Sequence, residues 1–280
     1  MTAEAMPALP KKTPQVDLDR TRERLTKLGL VHAAEALGEH VAAAAKETHP
    51  PHRFLDALLE AELSARDERR VRTSLRLSGL PTGHTLASFD FAFQPSVERS
   101  RIETLATCAF LRERESLLIQ GPPGVGKTHL AIALGMVAIS HAVSVYFLTT
   151  VDLLEMLHRD AKEDRLDHRL KMLCRPKLLI LDEMGYLPLD RLAAQFLFQL
   201  VSRRYQRGSI ILTSNKSYGD WGDILADQIL ATAILDRLLH FSTTLNIRGQ
   251  SYRLREKRKA GVFSELADAA KEAQDPNQNT

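Results

Sequence analysis

Gly121-Pro122-Pro123-Gly124-Val125-Gly126-Lys127-Thr128 decides how this chain is read. The octet fits G-x-x-x-x-G-K-[ST] in full, the phosphate-binding loop pattern. Its outer glycines let the backbone wrap closely, so successive N–H groups converge on an anion. Lys127 is then placed to set its ammonium on the β- and γ-phosphates of ATP, and the Thr128 hydroxyl to ligate Mg²⁺. His129 follows directly and joins the candidate nucleotide-binding set. The flanks agree with this reading. Ser116–Gln120 reads as a buried strand. Lys127 to His141 reads as a helix, with Leu130, Ala131, Leu134, Val137 and Ala138 apolar at helical spacing. The bland alternative, a Gly/Pro turn before a helix, explains neither the lysine nor the hydroxyl.

Downstream the chain alternates between β-branched runs and helical patterns. Val143–Leu148 reads as a strand, and Thr150 or Asp152 can cap a helix to about His158. A charged stretch, Asp160 to Lys171, carries no clear period. Leu178-Leu179-Ile180-Leu181 is an uninterrupted apolar run ending in Asp182-Glu183, as expected of a central parallel strand covered on both faces. Leu192 to Gln206 reads as a helix with Asp190 as its N-cap, Ser209–Asn215 as a strand, Ala226–Leu239 as a helix and Thr243–Ile247 as a last strand. This alternation predicts an α/β class, a three-layer α/β/α domain around a parallel sheet.

Upstream the character changes. Residues 1–15, rich in Pro, Ala and Lys, read as a disordered tail. Residues 16–80 read as a small helical domain. Leucines recur every three or four positions, His49-Pro50-Pro51-His52 interrupts the pattern, and Val41–Ala45 fits a short helix of its own. The end of this region is basic. Arg66, Arg69, Arg70, Arg72 and Arg76 face only Asp67 and Glu68, so the helix presents either a solvated face or a phosphate-contacting face for DNA. Ser78–Gly83 breaks the helix. Phe89, Phe91 and Phe93 lead into the second domain, and Arg99–Arg114 reads as one amphipathic helix. The nucleotide-binding domain then spans 81–259, and 260–280 is a polar, flexible tail.

Bulk properties bound the rest. A chain of 280 residues, 44% hydrophobic and 26% charged with a net charge of +3, is an ordinary globular protein with room for one large and one small domain. Cys108 and Cys174 lie far apart and have no metal-ligand spacing, so they read as reduced thiols of a cytoplasmic protein. Residues 1–10 lack the apolar core of a signal peptide, and no apolar run approaches the length of a membrane span.

Several residues beyond the loop are candidates for chemistry. Asp182 and Glu183 end their strand at the sheet edge where ligands bind. Asp182 suits Mg²⁺, and Glu183 suits deprotonation of an attacking water. Asn215 ends the next strand, where an amide can orient that water, although Ser-Asn-Lys is also common turn composition. Arg237 is the cation of an apolar helix and aims either at Asp236 or, as favoured here, at a phosphate. Arg203 and Arg204 suit a helix C-terminus, or an arginine finger offered to a neighbouring subunit's ATP. Arg248–Lys259 carries six cations and one acid. Its Arg253, Arg255, Lys257 and Arg258 read as a DNA patch or a solvated tail.

Taken together, Gly121–Thr128, Leu178–Pro188, Thr213–Asn215, Trp221, Ala233–Leu239 and Gly249–Arg253 resemble the IstB-like ATPases over about residues 20–255. These are insertion-sequence transposition helpers, akin to the DnaC-type helicase loaders of the AAA+ superfamily. The resemblance implies an AAA+ P-loop NTPase core without a full helical lid. It implies a Mg²⁺-dependent ATPase that binds double-stranded DNA, forms a homo-oligomer with nucleotide at subunit interfaces, and recruits and stimulates a cognate transposase. It makes Asn215 sensor 1, Arg237 sensor 2, and one of Arg203 and Arg204, preferably Arg204, the arginine finger. The runner-up function is a replicative helicase loader. A metabolic phosphate-loop kinase is disfavoured by the Asp-Glu pair and Asn215.

Overall fold

A computed structural model describes residues 18–47, 50–225 and 227–259, with backbone only for 256–259. The tails expected at 1–15 and 260–280, and the side chains of Lys257 and Arg258, lie outside the described residues. By internal contacts the chain divides into two compact units, residues 1–72 and 73–280.

The first unit is helical, with α1 (Leu18–Lys27), α2 (Val31–Glu47) and the start of α3 (Pro51–Ser78). Val41–Ala45 is not a separate helix but the second half of α2, because nothing in Val31–Glu47 breaks the turn. Pro51 opens α3, where its missing N–H has no helical partner to lose. A small core of Ala33, Leu37 and Leu58 closes the unit.

In the second unit, α4 (Arg99–Ala106) and α5 (Ala109–Arg112) lead into β1 (Ser116–Gln120) and α6 (Lys127–Ser140). The single helix expected over 99–114 is interrupted at Cys108, which takes a left-handed conformation at φ 58°. Next come β2 (Val145–Thr149), α7 (Thr150–Lys162), α8 (Leu166–Cys174), β3 (Leu178–Met184), α9 (Arg191–Arg204) and β4 (Ser209–Ser214). Then α10 (Trp221–Leu225), α11 (Gln228–His240), β5 (Ser242–Asn246) and α12 (Tyr252–Lys259) complete the order. Side chains cap several helices, two of them at positions that bear on the sequence reading. Thr149 and Asp152 form a capping box on α7, so the cap is Thr149 and Asp152 sits three residues in. Asp190 accepts from the Ala193 N–H at 2.8 Å and starts α9 as expected.

All five strands are parallel, in the order β2-β3-β4-β1-β5. The chain moves one way across the sheet from β1 to β2 and the other way thereafter. Right-handed crossovers therefore put α6 on one face and α7 to α11 on the other. On the second face Leu118, Leu148, Leu179, Leu181 and Leu212 pack against Leu153, Leu197 and Leu200. On the first, Gly135 brings α6 so close that an added Cβ would lie 2.7 Å from Ile180 Cδ1. This is the predicted three-layer α/β/α architecture. Its carboxyl edge, between β1 and its neighbour β4, is a topological switch point, the usual ligand crevice of such sheets.

Candidate functional site

The phosphate loop leaves β1 at that edge. Around it lies a cavity of about 300 Å³ lined by Gly124, Lys127, Thr128, His129, Glu183 and Arg253, among others. Two glycines of the loop are there for close approach. A Cβ on Gly124 (φ 79°) would lie 2.0 Å from Ser251 Oγ, and one on Gly126 (φ 98°) would lie 2.6 Å from Phe89. Lys127 starts α6 and is 6% exposed. Its Nζ donates to the Pro122 carbonyl at 2.8 Å. Burial lowers the pKa of its ammonium, opposed chiefly by the Asp182 carboxylate.

Thr128, one residue on, donates its hydroxyl to Asp182 Oδ1 at 3.0 Å. Asp182 is 2% exposed and receives a second hydroxyl from Thr213 at 2.5 Å. A hydroxyl and a carboxylate this close are the hard-oxygen donor pair that Mg²⁺ uses beside substrate phosphates. Glu183 lies on the cavity wall at φ 63°, a left-handed conformation rare for a residue with a side chain. Asn215 follows β4, and its Oδ1 is buried with no hydrogen-bond partner. That oxygen lies against Gly185, where an added Cβ would meet it at 3.3 Å. Asn215 thus stands beside Gly185, just past the end of β3, rather than on the cavity wall.

His129 reaches the Thr85 carbonyl through Nε2 at 2.8 Å. Burial lowers its pKa, outweighing that carbonyl, so the ring is neutral at pH 7. Residues 84–94 thereby become a strap over the loop.

The arginines are redistributed relative to expectation. Arg204 is 2% exposed, and its guanidinium donates to the main-chain carbonyls of Leu173, Pro176, Lys177 and Ser209 at 2.7–3.1 Å. Burial lowers its pKa to about 10, which still leaves it charged at pH 7. A guanidinium so occupied is turned into its own chain, against the expectation of a finger offered outward to a neighbour. Arg203 is half-exposed and contacts Asp167 at 3.4 Å.

Arg237 does not join the phosphates of its own chain. It sits in the last turn of α11, which ends just before the amino end of β5, so it lies at the sheet edge opposite the loop. It shares a surface recess with Arg114, Ser116 and Ile210, where β1 and β4 begin. Its Nη1 donates to the Ala233 carbonyl at 2.9 Å, and its guanidinium lies 4.8 Å from the Phe198 ring centroid.

The arginine on the cavity wall is Arg253, a residue the sequence assigns to the DNA patch. β5 is parallel to β1 and pairs with it, so the chain after β5 emerges beside the phosphate loop. Tyr252 N–H donates to the Gly124 carbonyl at 2.9 Å, and Arg253 joins the cavity wall. Its charge acts against protonation of Lys127. The signal was present in the strand order, but only once the pairing of β5 with β1 is known. Arg255 is likewise not free for DNA. It pairs with Asp90 at 2.9 Å and covers the Phe93 ring at 4.5 Å.

In the helical unit, Arg66 donates to Glu62 at 2.7 Å and to the Gly29 carbonyl at 2.9 Å. Arg69 meets His32 at 2.8 Å and Arg70 contacts Asp67 at 3.4 Å, both from exposed positions. Arg72 and Arg76 are also exposed.

The parallel sheet, the phosphate loop and the carboxylates at its edge define a P-loop nucleotide-binding α/β fold. Solved structures share this fold. AMPPCP-bound DnaA from Aquifex aeolicus aligns with a TM-score of 0.50 at 20% identity, covering 66% of this chain and 56% of that one. DnaI aligns with a TM-score of 0.50 at 18% identity, covering 58% and 90%. The chain belongs to the family described as IstB-like ATP binding protein, whose family model matches residues 23–260. It is 51% identical over 205 residues to the insertion sequence IS5376 ATP-binding protein of Geobacillus stearothermophilus, covering 73% of this chain and 82% of that protein. It is 46% identical over 240 residues to the IS21 ATP-binding protein of Pseudomonas aeruginosa, covering 86% and 91%.

Proposed function

We propose that this chain is a Mg²⁺-dependent ATPase that assembles on duplex DNA, with nucleotide between subunits, and recruits and stimulates the transposase of its insertion sequence. The observation that carries the ATPase reading is the Thr128–Asp182 contact at 3.0 Å beneath a cavity that also holds Lys127 and Glu183. The insertion-sequence relatives favour transposition over helicase loading.

In this reading the loop N–H groups of Gly124 to Thr128 cradle the phosphates, and Lys127 neutralises the β- and γ-oxygens. Thr128 and Asp182 are the residues that hold Mg²⁺, which supplies positive charge to the phosphate oxygens. Glu183 takes the proton of the attacking water, and Asn215, against Gly185 just after β3, backs the strand end that carries Glu183. Arg253 takes the role in its own subunit that the resemblance had given to Arg237. Arg237, at the opposite sheet edge, stands away from the nucleotide cavity of its own chain. The 16–80 region, with Arg69, Arg70, Arg72 and Arg76, makes the phosphate contacts to DNA.

The test is steady-state ATP hydrolysis beside nucleotide binding. Glu183→Gln is expected to keep ATP affinity and lose at least about 100-fold in rate, the scale of a lost general base. Lys127→Ala is expected to lose affinity. Hydrolysis by Glu183→Gln at the wild-type rate removes Glu183 as the base.

A further inference from the structure

Between β3 and β4 the ladder pairs Leu181 with Leu212 and Met184 with Ser214, so Asp182 and Glu183 together face Thr213 alone. This is a β-bulge, one extra residue on β3. It has a chemical consequence. Along a regular strand, consecutive side chains point to opposite faces. Adjacent carboxylates could then not both serve one site. Here the bulge, with Glu183 at φ 63°, resets the alternation. Asp182 meets Thr128 while Glu183 lines the cavity.

A left-handed residue with a Cβ persists only where its surroundings enforce it. A bulge also removes an N–H from the ladder, and a buried N–H needs a partner. Thr213 answers both needs. Its side chain is fully buried. Its Oγ1 accepts from the Glu183 N–H at 3.0 Å and donates to Asp182 Oδ1 at 2.5 Å. One hydroxyl thus fixes the main chain of the candidate base and the carboxylate of the candidate metal ligand. A threonine hydroxyl has a single proton, so donating it to Asp182 fixes the direction in which its lone pairs face Glu183.

We propose that Thr213 is a positioning residue for ATP hydrolysis, holding the Asp182–Glu183 bulge so that both carboxylates serve one nucleotide. The proposal rests on the ATPase reading above. It separates a hydroxyl that sets geometry for the chemical step from one that merely stabilises the strand.

The experiment compares Thr213→Val, which keeps shape without the hydroxyl, with Thr213→Ser, which keeps the hydroxyl. Full-length proteins are assayed for kcat and KM with MgATP. Thr213→Val is expected to lose about 30-fold in kcat with KM within about threefold of wild type, the range for a displaced catalytic group. Thr213→Ser is expected to stay within about threefold on both. In the Glu183→Gln background, Thr213→Val is expected to add less than about twofold, because the two residues act as one unit. If Thr213→Val does not fold, Thr213→Cys, whose thiol is a weak donor and acceptor, takes its place with the same thresholds. A Val variant as fast as wild type, a Ser variant as slow as Val, or full additivity with Glu183→Gln overturns the proposal while leaving the ATPase reading intact. A wild-type chain that hydrolyses no ATP overturns both.

Discussion

Arg203 and Arg204 are neighbours of identical chemistry with opposite roles. Arg204 turns inward under the sheet and ties the α8–β3 connection to the start of β4 through four main-chain carbonyls. Arg203 turns outward to Asp167. Removing the first takes a donor from four carbonyls, of which that of Lys177 keeps the Ser209 N–H, whereas removing the second breaks only an exposed pair. Arg204→Leu is expected to destabilise the protein by about 3 kcal/mol or more in urea denaturation, and Arg203→Leu by less than about 0.5 kcal/mol. Equal losses would show that the buried network carries little. Nothing in the Arg-Arg-Tyr sequence tells which arginine turns in. That depends on which side of α9 meets the sheet.

Among elements, the strands were the most legible. Ser116–Gln120, Leu178–Leu181 and Ser209–Ser214 stand where their apolar runs placed them, because a strand covered on both faces needs unbroken apolarity. The charged stretch 160–171 was not legible. Much of it is α7, a turn and α8, whose buried residues are only Leu170 and Leu173. The link between the two helices is ionic. Asp160 is buried, and its carboxylate accepts from Arg169 at 2.5 and 3.3 Å. That hydrogen bond holds the Asp160 pKa below its ordinary value against the cost of burial. A depressed carboxylate stabilises the fold above its unfolded pKa, and the stabilisation is lost as pH falls through the folded value. Asp160→Asn is therefore expected to cost about 3 kcal/mol at pH 7, a penalty that shrinks once pH drops below about 4. Thermal denaturation of both proteins from pH 7 to pH 3 reads this directly. A penalty independent of pH would assign it to lost packing instead.

At the scale of the molecule, the nucleotide loop is held from two sides. The strap at 84–94 reaches it through Phe89 and, by way of Thr85, holds His129 just after it, and the segment after β5 reaches it through Ser251 and Tyr252. Strap and segment are joined by Asp90–Arg255 and by Gln94 Nε2, which donates to the Gln250 carbonyl at 2.9 Å. Arg253 lines the cavity and Arg255 is paired, so among the described side chains the proposed DNA affinity rests on the helical unit. Duplex binding is expected to weaken steeply with salt, with a log–log slope of roughly −0.9 per phosphate neutralised. Replacing Arg69, Arg70 and Arg72 together by Gln is expected to flatten that slope by about 2 to 3. ATP is expected to tighten binding by aligning many subunits along one duplex. Fluorescence anisotropy on a labelled duplex, over a salt series with and without ATP, measures both. An unchanged slope in the triple variant would return these arginines to a solvated face.

The sequence by itself determined what is local in the chain. The Gly121–Thr128 octet, the apolar run ending in Asp182-Glu183, and the cap at Asp190 depend on neighbours a few residues away, so they could be read in order. Only the tertiary structure decided the work of the arginines and of Thr213. Arg253 reaches the cavity because β5 lies beside β1, Arg237 leaves it because α11 ends at the other sheet edge, and Arg204 is consumed where α9 turns back into β4. Thr213 matters because a bulge on one strand sets it opposite two carboxylates. A cation or a hydroxyl acts on what lies within about 3 Å of it, and across strands that neighbour is chosen by register and strand order, which no window of sequence contains.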